Sequence, residues 1–82
     1  MGKYGSLAGY LRRKHQPEVR LSFRAVERIV GGILPRAAND PLWWALGGNM
    51  ADEAPQKQAW ASVRFAPEVD LQRETVRFVR RR

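Results

Sequence analysis

The last twenty residues, VRFAPEVDLQRETVRFVRRR from Val63, constrain the fold most. Val63, Phe65, Val69 and Leu71 alternate with polar residues, and Val76 and Phe78 resume the alternation after QRET. Period-two alternation on both sides of a polar turn is the signature of a β-hairpin. The expected register sets Leu71 opposite Val76. It places Val69 opposite Phe78 on the inner face and Asp70 opposite Arg77 on the outer one, an opposite-charge pair. Pro67 cannot donate to a ladder, so its strand belongs at an edge or is bulged. The outer side of this hairpin reads as basic, and it runs into the basic tail VRRR.

A hairpin alone buries too little, so the rest of the chain must cover its inner face. Tyr4, Leu7, Ala8 and Leu11 recur at helical spacing, followed by Arg12, Arg13, Lys14 and His15 in the last turn, where cations suit the helix dipole. Pro17 ends that first helix, expected over about Tyr4 to Lys14. In EVRLS, Val19 and Leu21 share one side, which suits a short strand. Ser22 stands as an N-cap before Phe23, Val26, Ile29 and Val30, the buried stripe of a second helix. Arg24, Glu27 and Arg28 lie outside that stripe, with Glu27 placed to relieve the like-charged i, i+4 pair. Gly31-Gly32 stops the helix, because glycine accepts the left-handed conformation at a helix end.

Beyond it, Ile33 and Leu34 are expected as buried turn residues. Pro35 is expected at the first position of a third helix reaching about Asn39. Asp40-Pro41 breaks that helix. Leu42 to Leu46 fits a short strand better than the alternative, a helix capped by Asp40 and Pro41 and ended by Gly47. GGNMADEAP is a loop, and PQKQAWASV a short fourth helix with Ala59, Trp60 and Val63 on its apolar face. Trp43, Trp44 and Trp60 are expected mainly as core. On a strand, Trp43 and Trp44 would point to opposite faces, leaving one free to stack a base or anchor a partner. Tyr4 reads as core and Tyr10 as its flank.

The resulting order is helix, strand, helix, turn, helix, strand, inserted helix, strand, strand. It is an α+β, winged-helix-like order: three N-terminal helices with a short strand, an inserted helix and a C-terminal β-hairpin. At 82 residues the chain makes one small domain, residues 1–82. It lacks cysteine, which removes disulfides and thiolate metal sites and suits a cytoplasmic protein. No apolar run approaches the ~18 residues of a membrane span, and the N-terminus does not read as a signal peptide.

Charge points to the partner. Of 15 basic residues 12 are arginine, and the net charge is +7. The two signs are segregated. Residues 1–36 carry eight basic and two acidic groups, residues 37–71 two and five, and residues 72–82 five and one. Arginine forks match phosphate bidentately, so a polyanion is the expected partner. Catalysis is not expected. His15 is the sole histidine, no nucleophile–base set is available, and neither GG is followed by the Lys-Ser/Thr of a phosphate loop. Asp52 and Glu53 read as solvating loop acids. No metal and no cofactor are expected.

KYGSLAGYL, LSFRAVERIVGGILPRAA, LWWA, QAWASVRF and VDLQRETVRFVR, taken together, resemble a family of small uncharacterised bacterial and phage domains. That family reads K-Y-x-x-L-x-x-Y-L, then L-T-F-x-x-I-E-x-I-L-G-x-x-L-P, W-W, A-W and V-D-L-x-x-x-x-V-x-F-x-R. Lys3, Tyr4, Leu34, Pro35, Trp43, Trp44, Trp60 and Phe78 are among the matching positions. NDPL before the tryptophans departs from the family's basic-aromatic stretch. The resemblance covers nearly the whole chain and implies no chemistry.

The expected function is nucleic-acid binding, to DNA rather than RNA, by a regulator of the kind carried by phages and mobile elements. The helix-turn-helix of residues 22–40 supplies Arg24 and Arg28 to phosphate, and Arg36 and Asn39 to base edges. Arg12, Arg13 and Lys14 of the first helix add phosphate contacts. So do Arg73, Arg77, Arg80, Arg81 and Arg82 of the hairpin and tail. So thin a base-reading surface suits modest specificity, or a homodimer that doubles it. The alternative is a protein-interaction module, such as a phage-type inhibitor or accessory subunit, whose basic face meets an acidic partner.

Overall fold

Ser22 joins sheet to helix without a loop. The computed structural model describes residues 4–46 and 54–81. In it β1 (Glu18–Ser22) runs directly into α2 (Phe23–Val30). The Ser22 backbone is still extended, and its Oγ accepts the Ala25 N–H at 3.0 Å. The Phe23 N–H, free at the helix start, donates to the Glu74 carbonyl of the hairpin turn at 2.8 Å. One residue thus ends a strand and caps a helix, and the helix is pinned to the far end of the chain. At its other end Gly31 adopts φ 75°, and both Gly31 and Gly32 N–H groups reach the Glu27 carbonyl.

The remaining helices are short. α1 (Gly5–Arg12) packs against α2, and α4 (Pro55–Ala61) against α1 and the sheet. β2 (Phe65–Asp70) and β3 (Thr75–Arg80) form the hairpin, and β1 pairs with the other side of β3. The antiparallel sheet has the order β1-β3-β2, so Pro67 does lie on an edge strand. The helices cover one sheet face. Val19, Leu21, Phe65, Val76 and Phe78 from the strands are buried with Leu7, Leu11, Val26, Trp44 and Trp60 from the helices. The class is α+β, with four α-helices and three strands among the described residues.

The hairpin register differs from the expected one by two residues. Val69 faces Val76, Pro67 faces Phe78, and Arg77 faces Glu68 rather than Asp70. A slip of two preserves which side chains point inward, so the hydrophobic pattern could not detect it. The turn decides. Leu71 to Glu74 form it, with Glu74 at φ 51°, and Asp70 Oδ1 accepts the Arg73 N–H at 3.2 Å. Asp70 serves the turn and cannot serve as the cross-strand partner.

Three further expectations change between residues 33 and 46. The third helix is a single 3-10 turn, η1 (Arg36–Asn39), and Pro35 precedes it in extended conformation instead of opening an α-helix. Pro41 holds Asp40 extended, so only one turn fits between the two prolines. Leu42 to Leu46 is not a strand. Asp40 accepts the Leu42 N–H at 2.9 Å and caps α3 (Pro41–Trp44), the alternative with proline at the helix start. Ile33 is not buried but 82% exposed, and Leu34 is half-buried. The chain leaves α2 through the left-handed Gly31, and the Glu27 carboxylate then takes the Leu34 N–H at 2.9 Å.

On α3 the two adjacent tryptophans need not oppose each other. Trp44 is buried, stacks on Trp60 with centroids 5.5 Å apart, and donates its indole N–H to the Ala38 carbonyl at 2.9 Å. Trp43 is half-buried, edge-on to Trp44 at 4.7 Å and to Tyr4 at 5.9 Å. Tyr4 and Tyr10 are both half-buried, and burial pushes the Tyr4 phenol above its ordinary pKa. No helix among the described residues is long and apolar enough to cross a membrane. Lys3, most of the GGNMADEAP loop including Asp52 and Glu53, and Arg82 lie outside the described residues.

Candidate nucleic-acid interface

The fold sorts the arginines into three groups by where they lie. The open face of the sheet holds the first. Arg77 Nε donates to Glu68 at 3.1 Å, and Arg77 also approaches Glu18 at 3.4 Å. Arg20 pairs with Glu18 at 3.2 Å, and Arg73 with Asp70 at 3.9 Å. The hydrogen bond that Arg77 donates to Glu68, then the Glu68 charge, with Glu18 adding to it, hold the Arg77 guanidinium above its ordinary pKa. The expected basic outer side of the hairpin is therefore a balanced network. Arg73 and Arg77, expected as phosphate contacts, are engaged by carboxylates. Pairs this exposed add little to stability, but they do cancel the local field.

The helical side holds the second group. Arg24 and Arg28 stand one turn apart on the solvent side of α2, both exposed, and Arg36 is exposed on η1. Arg12 and Arg13, at the end of α1, are exposed as well. None of these five forms an ion pair among the described residues. Glu27, expected to relieve Arg24 and Arg28, spends one carboxylate oxygen on the Leu34 N–H.

Arg24, Arg36 and Asn39 come together with Phe23, Glu27 and Glu74 around a depression of about 260 Å³. The helix-turn-helix geometry expected for residues 22–40 is only partly present. A second element of one 3-10 turn is too short to lie along a major groove, so Arg36 and Asn39 sit at a corner beside the hairpin turn. Two carboxylates share that corner, which weakens it as an anion site.

A third basic cluster closes the opposite end of β3. Arg80 Nη2 donates to the Lys14 carbonyl, the Arg80 backbone N–H donates to Pro17 O at 2.8 Å, and the guanidinium lies 4.8 Å from the centroid of buried Phe65. Lys14 Nζ lies 4.7 Å from the Tyr10 ring centroid. The Arg81 N–H donates to the Arg64 carbonyl at 2.6 Å. Arg64 was not among the expected contacts. Under the expected register it had no partner across the ladder within the chain; the observed register brings it beside Arg81. It adopts φ 65°, a conformation that costs a residue with a Cβ about 1–2 kcal/mol. No cluster of histidine, aspartate and glutamate among the described residues could hold a metal ion.

A family model described as a domain of unknown function, DUF7662, matches residues 4–81. The chain belongs to this family. The DUF7662 match includes α1 through β3, so every described basic residue of the interface lies within it. No curated protein and no solved structure matches the chain.

Proposed function

We propose that this DUF7662 domain binds nucleic acid, duplex DNA foremost, by gripping phosphates with its helical face. The observation that carries the reading is the segregation of charge. Every ion pair among the described residues lies on the strands or hairpin turn, and the five arginines of α1, α2 and η1 keep no carboxylate partner. A surface built only for solubility intersperses its signs. The element order and the β1-β3-β2 sheet support a winged-helix-like layout in which α2 and η1 face the duplex and the hairpin turn lies at their edge. The wing is short and the recognition element is one turn, so contacts go to the backbone more than to base edges. Weak sequence preference follows.

A titration of random-sequence duplex followed by fluorescence anisotropy tests this. Arg24→Gln, Arg28→Gln and Arg36→Gln together should weaken binding and reduce the salt slope by about three units. The matched sheet-face control, Arg20→Gln, Arg73→Gln and Arg77→Gln, should change neither by as much. Equal losses in both triple variants would sink the assignment of the face.

A second reading has its own observation. Ile33 and Leu42, on either side of η1 in the chain, are 82% and 72% exposed. Two large apolar side chains bracketing Arg36 suit a protein partner with an acidic rim, and are a poor match for phosphate. Ile33→Ser with Leu42→Ser should leave DNA affinity unchanged under the first reading.

A further inference from the structure

Gly9 is the residue that the fold does not explain. It sits inside α1, where glycine is less favourable than alanine, yet a Cβ built on it would meet nothing within 4 Å. No neighbour requires it to be small. The space beside it is a groove of about 580 Å³ between α1 and α2, lined by Ser6, Gly9, Tyr10, Arg12, Arg13 and Ile29. A second hollow of about 250 Å³ shares Tyr10 and Ile29 with it and adds Leu21, Ala25 and Arg28. No carboxylate is among the described residues lining either hollow.

The groove therefore has an apolar and aromatic floor, Tyr10 with Ile29, and arginines along its sides. Lys14 Nζ lies over the Tyr10 ring. An apolar ligand alone would leave the arginines unused, and a phosphate alone would leave the ring unused. A nucleotide uses both. The size is also right, since small-ligand sites occupy about 300–1,000 Å³.

We infer that this groove takes an unpaired nucleotide of a nucleic acid, its base against Tyr10 and Ile29 and its flanking phosphates at Arg12, Arg13 and Arg28. The inference rests on the nucleic-acid reading above and narrows its substrate to DNA with a single-stranded segment beside the duplex. Base–aromatic stacking is worth more than an exposed cation–π contact, so an entering base displaces the Lys14 ammonium from the ring. The freed ammonium is then available to the same phosphates. Gly9 leaves the helix backbone open to the ligand, as glycine does wherever a backbone is closely approached.

The test compares a blunt duplex with the same duplex carrying a short oligothymidine tail, by anisotropy, for wild type and Gly9→Leu. Leucine extends into the groove from a position where its Cβ meets nothing within 4 Å, and it is the better helix former, so this variant should melt no lower than wild type. Wild type should bind the tailed duplex about tenfold tighter than the blunt one. Gly9→Leu should lose that advantage and keep its affinity for the blunt duplex. Equal affinity of wild type for the two DNAs overturns the inference and leaves duplex binding standing. So does a tail advantage that survives in Gly9→Leu. Absence of binding to either DNA overturns the nucleic-acid reading, and this inference with it.

Discussion

Phe78→Ala should largely unfold the domain. Phe78 is fully buried on the central strand, between Val19 on β1 and Pro67 on β2, with the Trp60 ring centroid 5.6 Å away. Removing the ring takes apolar surface out of the core and leaves a cavity that strand and indole can close only in part. Substitutions of this kind cost about 3–5 kcal/mol. At about 0.05–0.15 kcal/mol per residue, a chain of this length has roughly 4–12 kcal/mol in total. Each kcal/mol moves the melting temperature of so small a domain by about 4–8 °C, so the loss should be at least about 12 °C. Thermal unfolding followed by tryptophan fluorescence reads it directly, because Trp44 and Trp60 are buried in the same core. Phe78→Leu, which keeps most of the volume, should fall much less. A melting temperature for Phe78→Ala within a few degrees of wild type would refute the placement of this ring at the centre of the core.

The two buried tryptophans should respond differently to truncation. Trp60 Nε1 is buried without an acceptor, whereas Trp44 Nε1 donates to Ala38. Trp60→Phe removes an unsatisfied donor along with some volume, so its melting temperature should stay closer to wild type than that of Trp44→Phe, which strands a carbonyl. The reverse order would contradict the hydrogen-bond assignment. Gly31→Ala should destabilise by about 1–2 kcal/mol in denaturant titration, since φ 75° is strained for any residue with a Cβ although no atom lies in its way. An unchanged midpoint would show that α2 can end in another conformation.

Much of the fold was legible because local signals agreed with one another. Ser22 before an apolar stripe, and glycine after it, mark both ends of α2, and both caps form. EVRLS, α1, α4 and the hairpin lie where their periodicities put them. The misreadings fall where two local rules competed. Between Pro35 and Pro41 the chain has too few residues for an α-helix, and the proline that breaks one element opens the next. At the hairpin, a two-residue slip keeps every apolar residue on its proper face, so the register follows the turn, with Glu74 at φ 51° and Asp70 bonded to the Arg73 N–H.

The basic patches were legible in composition and less so in detail. Arginine count and segregation are sequence properties, but which arginines are neutralised is a tertiary property. Arg77 meets Glu18 across 59 residues of chain. Arg64 and Arg81 become neighbours only through the register. Arg36 was expected to read bases from the first turn of a helix. It lies instead on a one-turn element, at a corner beside Glu27 and Glu74.

The arginines of α1, α2 and η1, exposed and without an ion pair among the described residues, are proposed as a phosphate-gripping face. The most direct test is the affinity of the wild-type domain for random-sequence duplex as a function of salt. Three to five phosphate contacts predict that log K falls linearly with log salt, with a slope between about −2.7 and −4.5. Absence of binding at low salt, or a slope near zero, would contradict the account and shift the weight to a protein partner docking at Ile33 and Leu42.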